Sequence, residues 1–474
     1  MNNIVLITLD ECTTGVLGCY GNQYAHTPNL DRFARNSVAF SSSFTVCPKC
    51  VPARAALLTG RYPHTDGHRT LPGFEVRTDE NNVVSILKAA GYRTAMFGKN
   101  HTVDDRAIGH FFDVYHSGKG EKSLPKKRVL SPDNEAVYRS FYRGDVEDRT
   151  AANDWLAAEY ACRYLENASP GPFFLLVNLK ATHAPYFGYK PHIDIIRRKR
   201  PPVPEKESLE SAPEILQKVR RVYDLEGLEE KDWRNIVEAY YSMASLCDEC
   251  IGTILAKIDQ LRLAENTTVI ITADHGDFVG EHGCVEKWDT LFYDCLINTP
   301  LLVRHPGLTS LNTESDAFIE TVDIAPGLLD LCGFEIPEWM HGSSFAPLLR
   351  GEEYEPKEYV FSEGGVEPSA TVKAVPYDGS LVPIYPGYTW KQKIACQFPE
   401  TMRRSKMVRN KEWKLIYRID GSRELYNVRE DPGEFRDVSQ IRENKKVVCT
   451  LTNELLNWTI RSETDYPSIE QLKA

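Results

Sequence analysis

Short apolar runs that stop abruptly at charged residues punctuate this chain. Ile4 to Leu9 ends at Asp10-Glu11, Phe173 to Asn178 runs on toward His183, and Thr268 to Thr272 leads into Asp274-His275. Strands buried on both faces of a parallel sheet read this way, because neither face takes exposed polar text. Thr94 to Phe97 is a fourth such run, followed by Gly98-Lys99-Asn100-His101. Between the runs the pattern is helical, from Thr27-Pro28 through Arg35, Asn82 to Ala90, Ala151 to Glu166 and Trp233 to Leu261. Such alternation predicts an α/β fold with a large, mixed, mostly parallel sheet flanked by helices. The charged residues then stand at strand C-terminal ends, where open α/β sheets bind ligands.

Pro and Gly at Ile336-Pro337 and Leu349-Arg350-Gly351 mark a boundary, and aromatic, β-rich text begins at Tyr359. Residues 1–350 are therefore expected to form the main domain, and 351–474 a smaller one of antiparallel sheet plus helix. The length of 474 residues suits this division. Two polar insertions, Ser117 to Arg143 and Lys190 to Pro213, carry the basic runs Lys126-Lys127-Arg128 and Arg197-Arg198-Lys199-Arg200 and are expected to be solvated loops.

The net charge of −11 argues against nucleic acid as a partner, so an anionic ligand must be met by local positive charge. The opening M-N-N-I-V-L-I-T-L-D has no basic leader, and its apolar run is too short to span a membrane. A cytoplasmic protein without membrane partners is expected. Twelve cysteines at scattered spacing describe no disulfide framework, which fits a reducing compartment. The sequons at Asn167, Asn266 and Asn457 are then chance.

The densest chemistry lies in C-V-P-A-R-A-A-L-L-T-G, Cys50 to Gly60. Pro52 suits the first turn of a helix that ends near Gly60, placing Cys50 at the N-terminus, where unpaired N–H groups favour negative charge. Arg54 follows one turn later on the same side. An alternative is that Cys47-Pro48-Lys49-Cys50 is a redox or zinc pair, against which the only other CxxC, Cys247 to Cys250, lies about two hundred residues away inside a helical pattern. Elsewhere, Asp10, Glu11, Asp274 and His275 collect hard ligands at strand ends, which suit Ca²⁺ or Mg²⁺ better than zinc.

The Cys50 segment resembles the signature of the type I sulfatases, of the alkaline phosphatase superfamily, whose C-x-P-x-R cysteine matures to formylglycine. The resemblance extends over nearly the whole chain. Gly98-Lys99-Asn100-His101 is similar to the family's G-K-x-H, His183 in T-H-A-P-Y to its H-x-P-Y/F, Lys287 to its second sulfate-binding lysine, and Trp413 to Tyr417 with Glu424 to Asn427 to its closing sheet. It implies an alkaline-phosphatase-like fold, a maturation enzyme acting on Cys50, and a calcium ion held by Asp10, Glu11, residue 50, Asp274 and His275. Glu11 and His275 depart from the commoner Asp and Asn.

The mechanism implied is attack on sulfur by a hydroxyl of hydrated formylglycine. The alcohol leaves with a proton from His183 or Lys287, and His101 then deprotonates the second hydroxyl to expel sulfate. Arg54 would orient the hydrate, and Lys99 would hold the sulfate. The expected partner is a small sulfated saccharide, such as a glycosaminoglycan fragment, with His64, His68 and Arg69 lining its pocket. Two other readings stay open. One is a phosphonate monoester or phosphodiester hydrolase on the same scaffold, and the other a binding protein that keeps an unconverted Cys50.

Overall fold

Four parallel strands form the centre of the protein in the computed structural model, which describes residues 1–70, 75–117, 142–167, 170–223, 225–308, 313–366 and 398–463. The main sheet contains β1 (Asn3–Leu9), β2 (Val38–Phe40), β3 (Arg93–Gly98), β4 (Val114–His116), β5 (Phe173–Leu179), β6 (Thr267–Ala273), β7 (Leu301–Arg304) and β8 (Thr313–Ser315). Their order is β8-β2-β7-β6-β1-β5-β3-β4. All neighbours are parallel except that β7 runs antiparallel to β6 and β2, so the sheet is mixed and mostly parallel as expected.

Alternation along β1 decides what covers each face. Val5, Ile7 and Leu9 pack with α2 (Asn153–Glu166) and α3 (Glu230–Gln260) through residues such as Ala157, Ala161, Ile251 and Ile254. Ile4 and Leu6 face the other way, onto Ala55, Leu57 and Leu58 of α1 (Cys50–Thr59) and onto Leu328. Being sandwiched is why these strands lack polar text, and all ten residues of α1 are buried.

Register brings the chemistry together. Leu9 lies opposite Leu179 and Ala273, and Gly98 opposite Asn178, so β1, β3, β5 and β6 end side by side. The ladder continues one residue further. The amide of Asp10 donates to Leu179, that of Asp274 to Leu9 and that of Lys99 to Asn178.

The second sheet is an antiparallel meander of β9 (Val360–Gly364), β10 (Ser405–Arg409), β11 (Trp413–Arg418) and β12 (Arg423–Asn427), with α4 (Lys445–Arg461) packed on β10 and β11. These elements all follow residue 350, yet their packing is continuous with the rest. Val408, Leu415, Leu425 and Trp458 share one cluster with Val46, Ala56, Tyr62 and Val322.

Local expectations fare unevenly. Asn82 caps the helix Val83–Ala89 in a capping box with Ser85. The helix Pro28–Ala34 forms, but Thr27 does not cap it; Thr27 accepts from the Gly18 amide, and the open amides of Asn29 and Leu30 donate to Asp248 on α3. The basic run 197–200 is not a solvated loop. It closes the helix His192–Lys199, where Arg197 pairs with Asp145 at 2.6 Å and approaches Glu238. Lys126-Lys127-Arg128 lie outside the described residues. Cys247 and Cys250 are free thiols buried in α3, and Cys47 and Cys50 are likewise unbridged.

Candidate active site

Lys49, extended at φ −154°, delivers the chain into α1, whose first residue is Cys50 and whose last gives way to Gly60 at φ +67°. The Cys50 Sγ lies 3.3 Å from His275 Nε2, 3.5 Å from Asp10 Oδ1 and 3.8 Å from Lys99 Nζ. Burial opposes ionisation of this thiol, but Lys99, Lys287 and His275, with a hydrogen bond from His101, hold its pKa well below the ordinary value. Cys47 shows the contrast: buried without such a set of cations, its thiol is pushed well up. The position occupied by the Cys50 sulfur is therefore built for negative charge.

Arg54 is buried behind this point. Its Nε donates to Asp274 Oδ2 at 2.7 Å, its Nη1 to Thr8 Oγ1 at 3.3 Å, and Nη2 stands 3.8 Å from Asp10. Asp274 Oδ1 also accepts the amides of Glu11 and His275. Burial opposes ionisation of Asp10, but Lys99, which pairs with it directly, together with His183 and Arg54 keeps its carboxyl far below the usual range.

Asp10, Cys50, Asp274 and His275 have ligand atoms within 4.8 Å of one another, all buried, and this group could hold a metal ion. The His275 ring is preset for it, because Nδ1 faces the Gly276 carbonyl at 2.9 Å and leaves Nε2 directed inward. Two carboxylates and one imidazole fit a hard divalent cation.

Glu11 does not join that set. Its backbone turns left-handed at φ 65°, held by its amide on Asp274 and by Tyr240 Oη, which donates to its carbonyl at 2.5 Å. The kink swings the carboxylate to a second buried group with His183 and Glu286. There Lys287 Nζ stands 2.8 Å from Glu11 Oε2, 3.3 Å from His183 Nε2 and 3.4 Å from Glu286 Oε1. Of the five residues expected to hold one metal, Asp10, Cys50, Asp274 and His275 stay together, and Glu11 alone turns to the adjacent cluster.

His183 lies near Lys287 in a state set by its surroundings. Burial, with the nearby Lys287 and Lys99, lowers its pKa to about 3. Its Nδ1 donates to the Ala184 carbonyl at 2.6 Å, so the neutral ring presents a lone pair on Nε2 toward the lysine. His101 approaches the Cys50 thiol, and its Nδ1 is buried without a hydrogen-bond partner.

The residues expected to line a substrate pocket separate. His64 is structural: Nδ1 and its amide bind Glu363 at 2.7 and 2.9 Å, Nε2 meets Ser462 at 2.8 Å, and the ring stacks on Tyr62. His68 is 2 % exposed, with Nε2 3.4 Å from Glu80. Neither presents an open nitrogen to a substrate, because the turn after α1 folds them into the packing. Arg69 alone borders a cavity.

Several supporting residues had a signal that the sequence reading passed over. Thr8 and Asn178 are polar interruptions just before the ends of apolar strands. Thr8 donates to Asn178 at 2.5 Å, and Asn178 in turn donates to the Lys99 carbonyl at 2.9 Å. Tyr186, Asp277 and Glu286 form another buried network behind Lys287, with Tyr186 Oη on Asp277 at 2.8 Å and the Glu286 amide donating to Tyr186 Oη.

Known proteins bear on this geometry. The sulfatase family profile matches residues 2–334. The chain is 30% identical over 74% of its length to an ulvan-active sulfatase of Formosa agariphila, of which the match covers 66%. It is 26% identical over 99% of its length to a Δ4,5-hexuronate-2-O-sulfatase of Bacteroides thetaiotaomicron, covering 91% of that protein. A phosphonate monoester hydrolase from Silicibacter pomeroyi superposes with a TM-score of 0.75 at 20% identity, over 99% of this chain and 97% of that one, which shows a shared fold. With its signature cysteine, strand-end carboxylates and lysines in one buried cluster, the chain belongs to the sulfatase family, the hydrolases of sulfuric esters.

Proposed function

We propose that this sulfatase cleaves the sulfate ester of a small sulfated saccharide, through formylglycine formed from Cys50 and with one Ca²⁺ held by Asp10, Asp274, His275 and residue 50. The observation that carries the reading is the convergence of Asp10, Lys99 and His275 on the Cys50 sulfur within 3.8 Å. That sulfur stands in for the oxygens of the mature residue. Formylglycine, once hydrated, supplies a hydroxyl nucleophile and a second hydroxyl whose deprotonation releases the product. Held by Asp10, Asp274, His275 and residue 50, a divalent ion would supply positive charge to offset that of the sulfate. The saccharide class is suggested by the carbohydrate sulfatases among its relatives.

This chain's own residues do the rest. Arg54 and the helix N-terminus orient position 50, and Lys99 and Lys287 face the sulfate. His101 accepts the proton from the hydroxyl at position 50. Of the two candidate donors to the leaving alcohol, Lys287 is favoured, since His183 is neutral with its lone pair turned to the lysine.

The test is sulfate release from a panel of sulfated mono- and disaccharides, with mass analysis of the peptide containing residue 50. One leaving group presented both as sulfate and as phosphonate monoester completes it. Sulfate turnover accompanied by the thiol-to-aldehyde mass change is the expected result. Full activity with an intact thiol, or a clear preference for the phosphonate, overturns the proposal.

A further inference from the structure

A cavity of about 470 Å³ lies between the turn after α1, β9, β10, β11 and α4. Its charged lining is Arg69, Arg404, Lys406 and Glu363. The one carboxylate is already engaged, because Glu363 Oε1 takes both the amide and Nδ1 of His64. Three cations against that one carboxylate thus line the space in a protein whose net charge is −11. Arg404 and Lys406 are alternate residues of one extended segment and point the same way. Lys406 stands 4.0 Å from the centre of the Trp458 ring, which holds it in place. Burial, reinforced by Arg69 and Arg404, lowers its pKa against the pull of Glu363, so the ammonium lacks full compensation. Tyr417 and Leu455 supply an apolar wall.

The chain links the cavity to the Cys50 site. Cys47 lines it, and the three residues from Cys47 to Cys50 span at most ~11 Å. On the same side Gly364 presses on the backbone of Asp289, where an added Cβ would come within 1.5 Å of the carbonyl oxygen, and Asp289 follows closely on Lys287. A ring joined to the sugar being desulfated is the natural size of group to reach from one place to the other.

We propose that this cavity is a second anion subsite, taking a fixed negative charge on the neighbouring sugar ring, either a carboxylate or a further sulfate ester, with the ring against Tyr417 and Leu455. The proposal deepens the saccharide sulfatase reading and rests on it. Basic groups with low-dielectric walls favour such an anion and orient the ring that carries it.

The experiment measures kcat/KM on 4-nitrophenyl sulfate and on three disaccharides: a monosulfated hexuronate–hexosamine, its carboxyl-reduced form, and its disulfated form. For Arg404→Gln and Lys406→Gln, the ratio of charged disaccharide to aryl sulfate should fall at least about tenfold, mainly through KM. The carboxyl-reduced substrate should show no such fall. Whether the monosulfated acid or the disulfated form loses more tells carboxylate from sulfate. Equal losses on all substrates, or equal binding of charged and reduced disaccharides by wild type, overturn the subsite. Calorimetry on Cys50→Ala with the same disaccharides reads binding without turnover, so a failure of the sulfatase reading and a failure of the subsite separate. Arg69→Gln, on a different segment, replaces either variant if thermal unfolding shows that it has not folded.

Discussion

At the scale of single residues, environment rather than identity sets the chemistry. Cys47 and Cys50 are three positions apart and both buried, yet one thiol is pushed up and the other drawn down by the lysines and His275 around it. Cys50→Ala is expected to lower sulfate release by at least about a thousandfold with an unchanged melting temperature. His183 gives a prediction with a definite sign. Its folded pKa of about 3 lies below the usual value of 6.5, so between these the unfolded chain binds a proton that the folded one refuses. Its contribution to stability is present above pH 6.5 and is lost as pH falls toward 3. An NMR titration of the imidazole in Cys50→Ala should show a neutral ring at pH 5, and protonation near 6.5 would contradict the assignment. Lys287→Met should reduce kcat by about 10²- to 10⁴-fold on alkyl sulfates and much less on activated aryl sulfates. Equal losses would remove Lys287 from proton delivery.

Elements matter here through their ends. β1, β3, β5 and β6 are ordinary buried strands until their last residues, where register sets Asp10, Lys99 and Asp274 side by side. Gly98 makes one of these turns possible: it adopts φ +99°, and a Cβ would stand 2.0 Å from the Asn178 carbonyl oxygen. Gly98→Ala should cost at least about 2 kcal/mol in urea unfolding and displace Lys99 and His101, so kcat falls with stability. A stable, fully active variant would show that the strand ends tolerate rearrangement. The same ends gather the residues that could hold a cation. Metal analysis of active protein should find about one divalent ion per chain, and long chelation should abolish turnover and lower the melting temperature by mass action.

Across the whole molecule, the two sheets depend on each other. Val46, Ala56, Tyr62 and Val322 pack into the same cluster as Val408, Leu415, Leu425 and Trp458, and Lys414 of β11 reaches back to Asp294 at 2.6 Å. A chain ending at residue 350 would expose that apolar surface. It is expected to be aggregation-prone, without a cooperative unfolding transition. A soluble, two-state 1–350 fragment would establish that the main sheet folds alone. No described helix is long and apolar enough to cross a membrane.

Much of this protein is legible in one dimension because its signals are local. An apolar run ending in a carboxylate, or a proline placed to start a helix, is a property of neighbouring residues. From these came the alternating strands and helices, the position of Cys50 at a helix start and the carboxylates at strand ends. What tertiary structure decided are the partners and the directions. Glu11 looks like a ligand in sequence, but its left-handed backbone, pinned by Asp274 and Tyr240 from distant elements, turns it to Lys287. His64 looks like a pocket residue until Glu363 and Ser462 close on both nitrogens. Asp248 caps a helix more than two hundred positions away because α3 carries it there. Such outcomes arise from long-range packing and hydrogen bonding, which no spacing within a short stretch encodes.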